Sequence, residues 1–101
     1  MKPAVKVFTK DNPVTKLDLW NCFRGHRGFI NIQVDTAKSL IGENSPRYLT
    51  SKGYLGVVER KNVEYYSLTT AGAKWLLDGF KRYLKNHPLD RKKAKHLPNT
   101  L

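Results

Sequence analysis

The sequence predicts a small α+β domain, mostly α, with a three-helix core, a short β-hairpin and a C-terminal helix. Three observations predict it. Residues 45–69 read as helix, glycine stop, strand, basic turn and strand. Ser45 is a helix cap with Pro46 as first helical residue, Gly53 suits the left-handed position past a helix end, and Val57-Val58 and Tyr65-Tyr66 are strand formers around Lys61-Asn62. Two flanking segments repeat apolar residues at helical spacing: Leu17, Trp20 and Phe23, then Ala73, Leu76, Leu77, Phe80, Tyr83 and Leu84. Finally, 101 residues with 40% hydrophobic and 27% charged content support one domain with a modest core.

In chain order, residues 1–12 form a basic N-terminal arm or short strand, with Val5, Val7 and Phe8 in alternation. The first helix starts either at Asn12-Pro13 or at Thr15, which has Asp18 three residues on as in a capping box, and runs to about Arg24. Gly25 ends it, His26-Arg27-Gly28 is a loop, and Phe29 to Ile32 is a short strand with Phe29 or Ile30 turned inward. A second helix follows from Val34 to about Ile41, with Asp35 in its first turn and Ala37, Leu40 and Ile41 on its apolar face. Gly42-Glu43-Asn44 turns into a third helix, Ser45 to Lys52, anchored by Leu49 with Tyr48 half-buried. The hairpin then runs from Tyr54 to Leu68.

Thr69-Thr70 caps a last helix from about Ala71 to Asn86, beside whose apolar face Trp75 falls, and His87-Pro88 stops it. The folded domain thus spans residues 13–86. Residues 87–101 form a basic flexible tail, with too few apolar side chains to fold alone.

Charge is the strongest global signal. Nineteen Lys and Arg against eight Asp and Glu give +11, which points to a polyanionic partner, nucleic acid first. The charge is uneven: net +4 over residues 1–32, +1 over 33–80 and +6 over 81–101. Phosphate anchoring from the two ends is therefore expected, around a nearly neutral centre. No stretch is long and apolar enough for a membrane span, and the single Cys22 reads as a small core residue of a cytoplasmic protein. His26, His87 and His96 share no metal-ligand spacing with Cys22 or with carboxylates, and no phosphate loop or nucleophile motif is present. The expectation is a protein that is not an enzyme and has no cofactor and no metal.

Leu49-Thr50-Ser51-Lys52-Gly53-Tyr54-Leu55 and Tyr66-Ser67-Leu68-Thr69-Thr70-Ala71-Gly72 carry a family resemblance. The first resembles the end of a recognition helix entering a wing. The second resembles the step from wing to last helix. Over roughly residues 13–86 the chain resembles the winged helix-turn-helix superfamily, in particular small regulators of the MarR, PadR and ArsR kind. It departs from the common pattern in its short third helix, limited by Pro46, and in an Ala37-to-Gly42 spacing one residue longer than usual.

The resemblance implies a sequence-specific binder of double-stranded DNA, a small prokaryotic or mobile-element transcriptional regulator associated with the nucleoid, acting by operator occupancy. Ser45, Arg47, Thr50, Ser51 and Lys52 would be the recognition-helix contacts. Arg47 suits guanine, the short hydroxyls suit phosphates or bases, and Lys52 suits a phosphate. Arg60, Lys61 and Asn62 would lie along a groove or backbone from the wing tip, flanked by Glu59 and Glu64. Arg24 and Arg27, with His26, and Arg91, Lys92, Lys93 and Lys95 would contact phosphates. Trp75, Phe80 and Tyr83 on the last helix either close the core or form a homodimer face. Two other readings remain open: a winged-helix module that binds a protein partner in a nucleoprotein assembly, and an RNA-binding basic protein.

Overall fold

The computed structural model describes residues 14–98. The elements are α1 (Lys16–Phe23), β1 (Ile32–Gln33), α2 (Val34–Ile41), α3 (Asn44–Ser51), β2 (Leu55–Arg60), β3 (Val63–Leu68) and α4 (Thr70–Asn86), followed by a 3-10 helix over Pro88–Lys93. The strands make one antiparallel sheet in the order β1-β3-β2. The basic arm, residues 1–12, lies outside the described residues, as do Asn12 and Pro13.

Of the two starts weighed for the first helix, the capping box at Thr15 is present. Thr15 Oγ1 accepts from the Asp18 amide at 3.2 Å, and Asp18 Oδ2 accepts from the Thr15 amide at 2.9 Å. The strand expected over Phe29 to Ile32 is shorter and later. A tight turn, in which the Gly25 amide donates to Gly28 O at 2.6 Å, leaves only an isolated bridge between Arg24 and Phe29, and ladder pairing begins at Ile32 opposite Tyr66. Phe29 turns inward, edge-on to Trp20 at 5.6 Å, while Ile30 is exposed.

α2 spans the predicted residues, with Ala37 and Ile41 fully buried, but Leu40 is 47% exposed and does not join its apolar face. Gly42, with φ 75°, ends it. The third helix starts earlier than predicted, at Asn44. Ser45 is not its cap but its second residue, and Pro46 is the third. Proline is tolerated there because the first intrahelical bond is made by the Arg47 amide, to Glu43 O at 3.3 Å. The helix ends as the glycine predicts. Gly53, at φ 78°, donates to Thr50 O at 3.1 Å, and the Tyr54 amide donates to Leu49 O at 2.9 Å, the paired bonds of a Schellman motif. Lys61 and Asn62, both at positive φ (51° and 65°), form a two-residue turn of the primed kind that matches strand twist.

α4 closes the domain. Thr69 Oγ1 accepts from the Gly72 amide at 3.0 Å and donates to Gly53 O at 2.7 Å, tying the helix start to the end of α3. A Cβ on Gly72 would lie 1.9 Å from Tyr54 O, so only glycine allows this approach. The core gathers Trp20, Phe23, Ile41, Leu49, Leu55, Leu76, Phe80 and Leu84, with the Trp20 and Phe80 rings stacked at 4.5 Å. Each large side chain so buried contributes about 1.5–3 kcal/mol. Cys22 is buried among them, and burial pushes its thiol up to about 12, so it is a packing residue.

The tail does not trail free. Residues 87–98 fold back over α1. Trp20 Nε1 donates to Lys95 O at 2.8 Å, Asn21 Nδ2 donates to Lys93 O at 3.1 Å, and the Lys95 amide donates to Asn21 Oδ1 at 2.8 Å. Ala94 and Leu97 pack on the core. Tyr83 Oη donates to Asp90 Oδ2 at 2.5 Å, and Lys93 lies 3.6 Å from the same carboxylate. Composition suggested a mobile segment because most of the hydrogen-bonding side chains that hold it, Trp20, Asn21 and Tyr83, belong to α1 and α4.

The aromatic residues of the last helix make their contacts within the chain. Trp75 stacks on Tyr54 at 4.8 Å with the Lys16 ammonium 4.0 Å above it, Phe80 is fully buried, and Tyr83 stacks on His87 at 4.2 Å. The outward positions are Lys74, Asp78, Lys81, Arg82 and Lys85.

Candidate nucleic-acid interface

The candidate reading surface is built from α2, α3 and the hairpin. Of the eight residues of α3, Ser45, Pro46 and Leu49 are buried, while Asn44, Arg47, Tyr48, Thr50 and Ser51 are exposed, with Lys52 just past the end. Ser45 is 3% exposed, so it does not belong to the outward set in which the sequence placed it.

The two hydroxyls are already engaged. Thr50 Oγ1 donates to Pro46 O and Ser51 Oγ to Tyr48 O, both at 2.7 Å. In this geometry they offer lone pairs outward, and donating to a phosphate would require turning the side chain. Lys52 Nζ lies 5.7 Å from the Tyr48 ring, within the range of a cation–π contact.

Arg47, Thr50 and Ser51 line one wall of an open cleft of about 620 Å³, with Val57 and Tyr66 of the sheet opposite and Lys38 and Glu43 at one end. Beside it a second hollow, of about 340 Å³, lies between the start of α2 and the hairpin tip, lined by Gln33, Asp35, Lys38, Asn62 and Glu64 among others. Lys38 thus borders both hollows, and sequence reasoning missed it. Its signal was present: it is the sole base on a helix whose buried residues are Ala37 and Ile41.

The hairpin tip mixes signs. Arg60, Lys61 and Asn62 are all exposed. Strand alternation puts Glu59 and Glu64 on the face of Val57 and Tyr66, the cleft side, directly opposite each other in register. Arg60, paired with Val63, falls on the other face. Lys38 is also partly answered, by Glu43 at 3.7 Å.

The candidate phosphate contacts form a second group. Arg24 lies over the faces of Trp20 and Phe29, at 5.1 and 5.4 Å to the ring centroids. His26 meets His96 edge-to-face at 5.6 Å, which brings the loop carrying Arg27 against the segment carrying Lys95. Arg91, Lys92 and Lys93 lie on the exposed 3-10 helix. The structure therefore unites the loop and tail sets that the sequence left separate. It does not merge them with α3: the loop leads into β1, whereas α3 packs against β2, the opposite edge of the sheet.

Among the described residues no group of His, Cys, Asp and Glu could hold a metal ion, and no helix is long and apolar enough to cross a membrane. Comparison with family models, with curated proteins and with solved structures finds no match to this chain, so its α+β architecture and surface chemistry are what a functional reading must rest on.

Proposed function

We propose that the chain is a winged-helix DNA-binding protein, a small regulator that acts by occupying duplex DNA in the nucleoid without a cofactor. The observation that carries this reading is the pairing of an outward α3 edge, Arg47 with Thr50 and Ser51, with an adjacent hairpin across an open cleft, on a chain of net charge +11. α3 enters the major groove, with Arg47 reading guanine and Lys52 and Lys38 reaching phosphates. The hairpin tip lies alongside through Arg60, Lys61 and Asn62. Arg24, Arg27, Arg91, Lys92, Lys93 and Lys95 contribute phosphate contacts that set affinity more than sequence choice. A homodimer through α4 is not part of the proposal, since the aromatic residues that suggested it are used within the chain.

A second reading has its own support. The engaged hydroxyls of Thr50 and Ser51 and the Glu59–Glu64 pair beside the cleft fit a protein partner better than a phosphate backbone. A salt-controlled selection from random duplex DNA, with structured RNA as competitor, separates the readings. DNA reading requires an enriched duplex motif that Arg47→Ala loses. Failure to enrich any motif would falsify it in favour of the protein-partner module, and capture by the RNA competitor would favour an RNA binder.

A further inference from the structure

Residues 19–34 and 91–101 contain no Asp or Glu. The fold lays residues 91–98 against the first of these stretches. The side-chain amide of Asn21 grips the tail backbone twice, through Lys93 O and the Lys95 amide, and Trp20 Nε1 adds a third bond at Lys95 O. His26 and His96 meet across the seam. Arg24 is held in place over Trp20 and Phe29. Asp90, the acid at the margin, is engaged by Tyr83 and Lys93.

We propose that these parts form one preorganised surface for a phosphodiester backbone, with Arg24, Arg27 and Lys95 as its contacts and Asn21 as the residue that positions it. The inference rests on nucleic acid being the partner, but not on sequence reading by α3. The surface works by fixing cations before binding. A free tail of the same charge must lose chain entropy on each encounter, whereas a clamped one has already lost it. Because it carries no base-reading geometry, it binds any duplex. Its position at the β1 edge, away from α3 on β2, lets it hold a backbone while α3 engages or leaves the groove.

The test uses the full chain, a duplex of random sequence and the slope of log affinity against log salt. Arg27→Gln and Lys95→Gln should each make the slope shallower by about 0.9, the value of one phosphate contact. Asn21→Leu removes no charge, yet it should make the slope shallower by at least about 0.9 as the tail cations leave the surface. Lys95→Gln added to Asn21→Leu should then change nothing further. Hydrogen exchange at the Lys95 amide reports the clamp independently and should speed up in Asn21→Leu. Asn21→Asp keeps an acceptor for the Lys95 amide, loses the donor to Lys93 O and places a carboxylate in the patch, so it should weaken binding even where the fold is retained.

An Asn21→Leu chain with a fast-exchanging Lys95 amide and the parent's slope overturns the inference. So does an Asn21→Asp chain that binds as tightly as the parent, or a parent with no affinity for duplex at low salt. Failure of the α3 reading looks different: no motif is enriched and Arg47→Ala changes nothing, while the responses at Arg27, Lys95 and Asn21 persist.

Discussion

The region of α2, α3 and the hairpin and the region of α1 and the tail both display cations, yet they are built in opposite ways. Around α3, charges of both signs lie close together: Lys38 has Glu43 at 3.7 Å, and in the hairpin Arg60 and Lys61 fall in sequence between Glu59 and Glu64, which oppose each other on the cleft face. Its geometry comes from bonds between near neighbours in sequence, the Schellman motif at Gly53 and the primed turn at Lys61-Asn62. At the α1 end, Lys93 pairs with Asp90 at 3.6 Å, no ion pair is made by Arg24, Arg27 or Lys95 among the described residues, and the geometry comes from bonds that span more than seventy positions, as from Trp20 to Lys95. A surface that must choose among partners gains from mixed charge, which penalises wrong ones. A surface that only holds a polyanion gains from charge of one sign.

The largest expected effect breaks the basic region by removing its support. Trp20→Ala deletes the ring stacked on Phe80 and the tail anchor together, and should lower stability by about 3–5 kcal/mol in urea unfolding. Trp20→Phe keeps an aromatic ring and loses the Nε1 bond, so about 1 kcal/mol is expected, with the loss read locally as faster exchange in residues 93–96.

Next comes the α3 region. Gly72→Ala drives a methyl into Tyr54 O and should cost about 1–3 kcal/mol, through the junction of hairpin and α4 rather than the tail. Amide exchange that rises at Tyr54 and stays unchanged at Lys95 would show the two regions to be separately supported. Equal loosening of both would break the comparison.

A smaller change sharpens it. Glu64→Lys replaces a like-charged cross-strand pair with an opposite-charged one and should stabilise the hairpin by about 0.2–1 kcal/mol. It should also tighten binding to random duplex while blurring any sequence preference, because it makes the α3 region more like the α1 region.

The smallest effect concerns the Tyr83–Asp90 bond at the margin of the tail. Burial and the Asp90 hydrogen bond push the Tyr83 phenol up to about 12, and the same bond holds the Asp90 carboxyl below its usual range. Tyr83, raised in the folded chain, contributes stability that is fully present below its unfolded value and lost as pH rises through about 12. Asp90, depressed, contributes stability that is present above its unfolded value and lost as pH falls through its lower folded value. Asp90→Asn should bring Tyr83 part of the way back toward 10.0, seen in phenolate absorbance. Burial keeps it from returning fully.

Much of the α3 region was legible because it rests on local rules. Gly53 as helix stop, Lys61-Asn62 as turn and Thr69 as cap each need only residues a few positions apart, as does the Thr15–Asp18 box at the start of α1. The errors there were also local. Ser45 fits a cap by composition, but α3 begins at Asn44 and Ser45 packs into the core. Lys38 escaped notice because bordering two hollows depends on where the hairpin folds.

The sequence by itself determined the order of the strands and of α1 to α4, most of the helix ends, the buried stripes of α1 and α4 and the uneven charge, since propensity, capping and periodicity act over one or two turns. Only the tertiary structure decided that the cationic loop and tail form one surface. Asn21 and Trp20 are ordinary helix residues until α4 has turned the chain back over α1. Only then do their side chains meet the Lys93 and Lys95 backbone, more than seventy residues away, and fix a segment whose own composition could not hold it.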